Sequence, residues 1–302
     1  FYRLIPKIVI RAKDENEVSR LLALADKYTL PVTFRAAGTS LSGQSISDSI
    51  LIVAGKNWEK YSISEDFERI TLQPGIIGAR VNEILKPHGR KFAPDPASVK
   101  SAMVGGIVMN NASGMNCGTH ANSDKELLSA KIVLADGTRL NTGDPESRTT
   151  FERKHTPFLN KIIEIRDEIR NDNELSDRIR KKYSIKNVTG LNLLPFVIYD
   201  DPFDIIAHLM VGSEGTLAFL SEVTMKTEHD YPYSASAMLY FSNIKDACRA
   251  VVAMKPGPVF SAELLDKKSL ASVNDTTGTG LTAVLTETKA DTPEELQANI
   301  AE

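Results

Sequence analysis

Cysteine is almost absent from this sequence of 302 residues, in which only Cys117 and Cys248 occur. Two cysteines so far apart exclude a disulfide-stapled scaffold, a zinc ribbon and a four-cysteine cluster within these residues. The low cysteine content fits a reducing, cytoplasmic setting.

An excess of charge and a long apolar run are also missing. Lys and Arg total 36 and Asp and Glu 39, a net charge of −3, which argues against a dedicated nucleic-acid binder. No apolar run approaches the ~20 residues that a transmembrane helix needs. We therefore expect no nucleic-acid partner and no transmembrane segment, while peripheral association with the inner face of a membrane stays open.

What is present is the composition of a folded protein, with 42% apolar and 25% charged residues. The sequence opens at Phe1 without Met and stops inside a helical pattern at 293–300, so we expect a piece of a longer polypeptide.

Alternating strands and helices predict a mixed fold of helices and sheets. Asp14 and Glu17 have the spacing of a capping box, in which each side chain accepts the other residue's backbone N–H, and Asp136-Gly137 is a strong hairpin signal. We expect strands at 7–10, 31–34, 50–53, 69–73 and 127–135, helices after Asp14 and at 78–86, 158–182 and 202–210, and a strand pair over 217–226 with Leu217 in the core.

The character of the sequence changes near residue 230. A strand at 235–241, a helix at 246–254 and a strand at 281–285 indicate a second α+β domain. We expect residues 1–230 to form one domain and residues 231–302 the truncated start of the second.

Three segments rich in small residues are candidates for binding a phosphate-bearing ligand. In 35–45, seven of eleven residues are Gly, Ala or Ser, so backbone N–H groups can approach an anion. The segment 105–114 adds two asparagines, and 212–217 places Glu214 where it could accept a ribose hydroxyl or cap a turn. A flexible loop, a tight crossing and a plain turn are the respective alternatives. None is a Walker loop or a Gly-x-Gly-x-x-Gly fingerprint, but together they favour a large, extended ligand.

At these segments the sequence resembles the flavoprotein oxidoreductases with the vanillyl-alcohol-oxidase or PCMH-type FAD-binding fold. Within them it is similar to the D-lactate and D-2-hydroxyglutarate dehydrogenase branch. The matching motifs occur in the family's order: 31–43, 73–75, 94–98, 105–114, 134–137 and 212–217. The variant over 113–119 further resembles large members that carry a C-terminal iron–sulfur region.

The resemblance implies an α+β, two-lobed FAD-binding domain followed by a substrate (cap) domain. Residues 36–43 would surround the pyrophosphate, and 94–98 and 105–110 would line the ribityl and isoalloxazine region. The residues expected to contact FAD on this basis are Arg35, Ala36, Ala37, Gly38, Thr39, Ser40, Leu41, Ser42, Gly43, Pro74, Pro94, Asp95, Pro96, Ala97, Ser98, Gly105, Gly106, Val108, Asn110, Ser113, Gly114, Gly118, Glu214, Gly215 and Val223.

The chemistry implied by the resemblance is removal of a hydride and a proton from a D-2-hydroxy acid, giving a 2-keto acid and reduced FAD. A downstream acceptor would take the electrons, and an iron–sulfur cluster is expected only outside these residues. The alternatives are an oxidase of the same fold that uses oxygen, a non-catalytic FAD-binding electron-transfer subunit, and a nucleotide-binding module without redox chemistry. The family's substrate-facing basic groups and its metal-binding histidines lie in the later half of the second domain. We therefore expect no metal site here and assign no catalytic residue.

Among the histidines, His120 is the best candidate for a site role, with an ordinary loop histidine as the alternative. Cys117 is either near the flavin or a small packing residue. Covalent relatives often attach FAD through a histidine in the pyrophosphate loop, where this sequence has Thr39, a poor nucleophile without a neighbouring base. We therefore expect non-covalent FAD. Trp58 is expected to pack or to face a partner.

Overall fold

The computed structural model describes residues 3–115, 117–118, 120–188, 190–273 and 281–302. The chain divides into two compact units, Phe1–Glu228 and His229–Glu302. Both units combine helices with sheets, so the predicted α+β class is confirmed.

The first unit begins with a small parallel sheet. Its strands β1 (Ile8–Arg11), β2 (Val32–Arg35) and β3 (Ile50–Val53) lie in the order β1-β3-β2, and α1 (Glu15–Lys27) connects the first two. Asp14 caps α1 as predicted, accepting the Glu17 N–H at 2.9 Å. The Glu17 carboxylate accepts the N–H of Lys13, at 2.6 Å, instead of that of Asp14.

A five-stranded antiparallel sheet forms the rest of the first unit's framework, in the order β4-β5-β9-β7-β8. The remaining elements of this unit are β4 (Tyr61–Ile63), β5 (Arg69–Leu72), α2 (Gly78–Leu85) with a 3-10 turn at Lys86–His88, β6 (Arg90–Lys91), α3 (Val104–Met109), α4 (Ser123–Glu126), β7 (Leu127–Val133), β8 (Arg139–Asn141), α5 (Pro145–Asn171), α6 (Asn173–Lys182), α7 (Leu194–Ile198), α8 (Pro202–Leu209) and β9 (Phe219–Lys226).

The core of this unit lies between the antiparallel sheet and the helices. Ile70, Leu72, Ile132 and Leu140 are fully buried in it. The predicted hairpin turn joins β7 to β8, and Gly137 has a φ of +84°, a conformation in which an L side chain is strained. Trp58 is a packing residue: it is buried, and its indole N–H donates to the Ala12 carbonyl oxygen at 2.9 Å.

The helical segment expected at 158–182 starts earlier and is divided. α5 begins at Pro145, capped by Asp144, and kinks at His155, two residues before Pro157. Asp172 then separates α5 from α6 by capping the new helix.

Two further expectations fail. The strand pair expected over 217–226 is the single strand β9, and Leu217, expected in the core, is exposed. The buried positions at the start of β9 are held instead by Ala218 and Phe219.

The second unit carries an antiparallel sheet in the order β11-β13-β12. Its predicted strands and helices are present, while β12 and α10 were not anticipated. The bounds are β11 (Tyr233–Phe241), α9 (Ile244–Met254), β12 (Ser261–Leu265), α10 (Lys267–Ser272), β13 (Thr282–Ala290) and α11 (Pro293–Ala301), and β10 (Glu228–His229) lies where the chain passes between the units. Among the helices described, none is both long and apolar enough to cross a bilayer.

Candidate functional site

The small-residue loop 36–49 leaves the parallel sheet at the carboxyl end of β2. It turns at Gly38, with a φ of +74°, and again at Gly43, with a φ of +83°. The Arg35 guanidinium lies against Gly38, so that a Cβ there would be 2.5 Å from Arg35 Nε. The positive φ favours glycine at this first turn, and the positive charge of Arg35 is held beside it.

The middle of this loop is open to solvent. Thr39, Ser40 and Ser42 are exposed, and Leu41 is 91% exposed. Exposed backbone and hydroxyl groups are available to a ligand here. The hydroxyl of Ser40, one of the residues expected to contact FAD, donates to the side-chain oxygen of Gln44 in this structure.

Glu214 joins two of the small-residue segments. Asn110 Nδ2, from the end of α3, donates to Glu214 Oε1 at 2.5 Å. Burial raises the pKa of Glu214, and the hydrogen bond from Asn110 and the nearby Gln44 side chain, from loop 36–49, oppose that rise. One oxygen of the Glu214 carboxylate thus accepts the Asn110 amide.

The backbone around Glu214 is fixed by unusual dihedral angles. Glu214 itself has a φ of +56°, between Gly212 at +82° and Gly215 at +76°. Its N–H donates to the Met109 carbonyl oxygen at 2.9 Å, at the last residue of α3. The 212–217 segment is therefore held directly against the C-terminal end of α3.

The adjacent glycines of α3 have different surroundings. Gly105 donates its N–H to the Pro74 carbonyl oxygen at 3.0 Å, and a Cβ on it would lie 2.6 Å from Pro74 Cβ. A Cβ on Gly106 would meet only Ala36 Cβ, at 4.0 Å, and Gly106 is exposed. Gly105 thus serves a tight backbone crossing, and Gly106 opens a space beside loop 36–49.

The 94–98 segment crosses the 113–118 segment at Gly114. A Cβ on Gly114 would lie 1.7 Å from the Asp95 carbonyl oxygen. Cys117 is fully buried next to this crossing, and its Sγ accepts the Gly114 N–H at 3.2 Å. Cys117 is thus a packing residue, the second of the roles considered for it. Asn116 and Thr119, part of the same motif, lie outside the described residues.

Ser113 provides an independent sign of a ligand. Its hydroxyl oxygen is buried and has no hydrogen-bond partner among the described residues. A buried polar atom without a partner costs about 1–3 kcal/mol, a cost that a polar ligand atom would remove. The open loop, the space beside Gly106 and this hydroxyl together fit an extended ligand with anionic and polar groups, as FAD is.

Two residues expected to contact FAD lie in the hydrophobic core. Val108 is 0% exposed and Val223 is 1% exposed, and both pack in the large cluster of the first unit. They offer no surface to a ligand in this conformation. The resemblance located their segments but did not distinguish which side of each segment faces inward.

Three polar residues that form hydrogen bonds in these segments were not among the residues expected to contact FAD. Gln44 was left out, although it is the long polar side chain among small ones. Asn111, with a φ of +50°, donates to the Asn187 carbonyl oxygen at 3.3 Å. Lys186 Nζ donates to the carbonyl oxygens of Ser113, at 3.3 Å, and Gly114, at 3.2 Å. Nothing in the local sequence around 186 signalled this contact.

The histidines are dispersed. His120 is exposed, and its ring lies beside Gly118. His208 is buried and stacked on Tyr199, and burial lowers its pKa. His229 contacts Asp291 at 2.5 Å. Within the described ranges, no group of three His, Cys, Asp or Glu side chains is arranged to hold a metal ion.

Comparison with known proteins identifies the first part of the chain. Residues 6–143 match a family model described as an FAD binding domain. Among solved structures, alkyldihydroxyacetonephosphate synthase shares the fold, with a TM-score of 0.61 and 16% sequence identity, over 97% of this chain and 48% of that chain.

Curated relatives match over most of this chain. D-2-hydroxyglutarate dehydrogenase of Haemophilus influenzae is 25% identical, over 89% of this chain and 27% of its own length. The glycolate oxidase subunit GlcD of Escherichia coli is 25% identical, over 91% and 45%. D-lactate dehydrogenase of Archaeoglobus fulgidus is 24% identical, over 87% and 48%. The chain thus spans between about a quarter and a half of the length of these relatives.

The match over residues 6–143 and the names of the relatives agree with the family resemblance drawn from the sequence motifs. The chain therefore carries a PCMH-type FAD-binding domain and has homologues named D-2-hydroxyglutarate dehydrogenase, D-lactate dehydrogenase and glycolate oxidase subunit GlcD.

Proposed function

We propose that this chain belongs to a flavoenzyme that dehydrogenates a D-2-hydroxy acid to the 2-keto acid, with FAD as the hydride acceptor. In this proposal the first unit binds FAD, and the second unit is the start of the substrate domain. Electrons then pass to an acceptor outside these residues. A four-cysteine iron–sulfur cluster cannot be formed within them, because they contain only two cysteines.

The observation that carries the proposal is that two separate segments, 212–217 and the start of loop 36–49, both lie against α3. Asn110, at the end of α3, donates to the Glu214 carboxylate. Ala36, at the start of loop 36–49, is the nearest neighbour of a Cβ on Gly106, at 4.0 Å, so Gly106 leaves space between α3 and the loop. We place the extended nucleotide cofactor of the proposal in this space and along the exposed stretch 39–42.

Individual residues take specific parts in the proposal. The exposed stretch 39–42 would bind the diphosphate through backbone N–H groups and hydroxyls, with Arg35 supplying positive charge. The Ser113 hydroxyl would hydrogen-bond a polar atom of the flavin side of FAD. Lys186 would hold the 113–114 backbone in place. FAD itself supplies the redox chemistry, and these residues bind and orient it.

The substrate class rests on the relatives. D-2-hydroxyglutarate, D-lactate and glycolate, the compounds in their names, all carry a hydroxyl group next to a carboxylate. One relative is named as an oxidase subunit, which supports a second candidate: an FAD-binding subunit of an oxidase that works with partner chains.

Anaerobic titration of the FAD-loaded protein tests the proposal. D-lactate, D-2-hydroxyglutarate and glycolate are added in turn, with L-lactate as the matched control, while the visible flavin absorption is recorded. We expect bleaching by at least one D-2-hydroxy acid or glycolate and none by L-lactate. Oxygen uptake that keeps pace with turnover would favour the oxidase. Bound FAD that no hydroxy acid reduces, even with the natural partner chains present, would contradict the dehydrogenase.

A further inference from the structure

The loop that follows α6 concentrates exposed apolar side chains in the first unit. Four large apolar residues of loop 183–193 are exposed: Ile185, Val188, Leu191 and Leu193. Ile185 is 69% exposed and Leu191 is 49% exposed. Thr189 of this loop lies outside the described residues. Single exposed apolar residues are ordinary on a protein surface, whereas several in one short loop mark a surface that another body covers.

Hydrogen bonds hold the two ends of this loop together. The Tyr183 hydroxyl donates to the Leu191 carbonyl oxygen at 3.0 Å and accepts the Leu193 N–H at 3.4 Å. The Tyr183 ring packs against the buried cluster that α5, α6, α7 and α8 form. A loop closed in this way loses less conformational entropy on binding than an open loop does. Its apolar side chains are therefore presented on a framework that is already folded.

The surface around this loop is strongly basic. The stretch 178–198 contains five basic residues and no Asp or Glu, although the whole sequence has a net charge of −3. All five basic residues are exposed: Arg178, Arg180, Lys181, Lys182 and Lys186. The first four belong to the second half of α6, which leads directly into the loop, and the fifth is in the loop itself. Exposed apolar side chains thus stand next to positive charge that no acidic residue of the stretch compensates.

This combination favours an anionic membrane surface over a protein or a nucleic acid as the partner. Lysine is depleted in protein–protein interfaces, and three of the five basic residues are lysines. Single-stranded nucleic acids stack on aromatic side chains, whereas the exposed apolar residues here are aliphatic. Basic residues beside aliphatic ones are typical of segments that lie in the bilayer interface, where long Lys and Arg side chains keep their charges among the headgroups. Each such charge adds attraction to anionic lipids.

We propose that loop 183–193 and the second half of α6 form a docking surface for a membrane that contains anionic lipids. The aliphatic side chains of the loop enter the headgroup region, and the basic side chains contact the lipid phosphates. This surface adjoins the proposed cofactor site, because Lys186 Nζ donates to the Ser113 and Gly114 carbonyl oxygens and Asn111 Nδ2 donates to the Asn187 carbonyl oxygen. The inference goes beyond the proposed function and does not require bound FAD.

Two double variants test the apolar and the basic parts of the surface separately. Ile185→Ser/Leu191→Ser removes two exposed aliphatic side chains, and Lys181→Gln/Lys182→Gln removes two exposed charges. Lys186 is left unchanged, because it contacts the segment assigned to the proposed FAD site.

The matched controls make the same kinds of change in the second unit. Val252→Ser replaces an aliphatic side chain on α9 that is 71% exposed. Lys267→Gln/Lys268→Gln removes the charges of two adjacent, exposed lysines at the start of α10. The thermal midpoint of each variant shows whether it is folded.

Vesicle flotation measures the binding of each protein to lipid. One set of vesicles contains phosphatidylcholine alone, and the other contains equal parts of phosphatidylcholine and phosphatidylglycerol, which is anionic. We expect the wild type to bind only the anionic vesicles, and added salt to weaken this binding. Each double variant of the surface should bind them at least about tenfold more weakly, and the two controls should match the wild type. Backbone hydrogen exchange over loop 183–193 should slow when anionic vesicles are present.

Several results would overturn the docking surface. They are a wild type that does not bind anionic vesicles, full binding by both double variants of the surface, and an equal loss of binding in the controls. A wild type that binds no vesicles but forms a dimer, which Ile185→Ser/Leu191→Ser converts to a monomer, would assign the loop to a second copy of the chain instead. If the aliphatic double variant fails to fold, Ile185→Ser alone takes its place, and weaker binding is again expected. Flotation needs no flavin, so its outcome is separate from that of the FAD titration.

Discussion

Gly105 and Gly106 are neighbours in α3 and have opposite surroundings. A Cβ on Gly105 would lie 2.6 Å from Pro74 Cβ, whereas a Cβ on Gly106 would have Ala36 Cβ, at 4.0 Å, as its nearest neighbour. One glycine permits a backbone crossing and the other leaves space for a ligand. Substitutions at these two adjacent positions can therefore test folding and cofactor binding separately.

We predict that Gly106→Val leaves the fold intact and weakens FAD binding by at least about tenfold, because the new side chain enters the space beside loop 36–49. The measurement is flavin content per folded protein together with the thermal midpoint without FAD. Full flavin occupancy in a folded Gly106→Val protein would mean that FAD lies elsewhere.

Gly105→Ala, in contrast, should reduce the stability of the fold. The methyl group would press against Pro74, and we expect a loss of stability of roughly 1–3 kcal/mol. Urea unfolding without FAD measures this loss. A Gly105→Ala protein as stable as the wild type would show that the α3–Pro74 crossing adjusts freely.

The two cysteines should differ in reactivity. Cys117 is fully buried and Cys248 is exposed. We predict that a thiol reagent labels Cys248 quickly in the folded protein and labels Cys117 only after unfolding. Cys248→Ser should abolish the fast reaction, and fast labelling that persists in this variant would contradict the buried position of Cys117.

FAD should be dissociable. The Cys117 thiol is enclosed by its own segment, and Thr39 is a poor nucleophile. We predict that acid precipitation releases the yellow colour into the supernatant. Colour retained in the pellet, with a mass increase equal to FAD, would show covalent attachment and point to His120.

Glu126 should make stability depend on pH. Its side chain is buried, and one carboxyl oxygen has no hydrogen-bond partner among the described residues. Burial, reinforced by the nearby Glu228, raises the pKa of Glu126 from 4.5 to about 7. The folded state therefore holds a proton that the unfolded state has lost between these two pH values, and this contribution to stability falls as the pH rises through that window.

Replacing Glu126 with Gln removes the loss of stability that a buried, charged carboxylate causes at high pH. At pH 8 we expect Glu126→Gln to be more stable than the wild type by on the order of 3 kcal/mol, with the difference vanishing near pH 4. Urea unfolding across this pH range is the measurement, with Glu83→Gln as an exposed control. A stability difference that does not change with pH would contradict the raised pKa.

The sequence predicted the elements whose signals are local. The Asp14 cap, the Asp136-Gly137 hairpin and the start of α8 after Asp201 depend on neighbouring residues, and all three are present. α3 was not predicted, because its glycines are weak helix formers and its stability comes from contacts with Pro74 and the core. Tertiary packing decides whether such segments form helices.

The candidate site was predicted as motifs and not as contacts. The glycine-rich segments were found because small residues repeat there, but the hydrogen bonds of Asn110 and Lys186 join positions far apart in sequence. The inward side of Val108 likewise follows from how α3 packs on the sheet. Such pairings require the folded chain.

FAD binding by the 302-residue chain itself is the measurement that tests the central claim most directly. The purified protein is stripped of nucleotide and titrated with FAD, with binding followed by flavin fluorescence and by the thermal midpoint. We predict saturable binding of one FAD per chain, a higher thermal midpoint, and loss of binding in Gly106→Val. A folded wild-type chain that binds no FAD under these conditions would contradict the central claim.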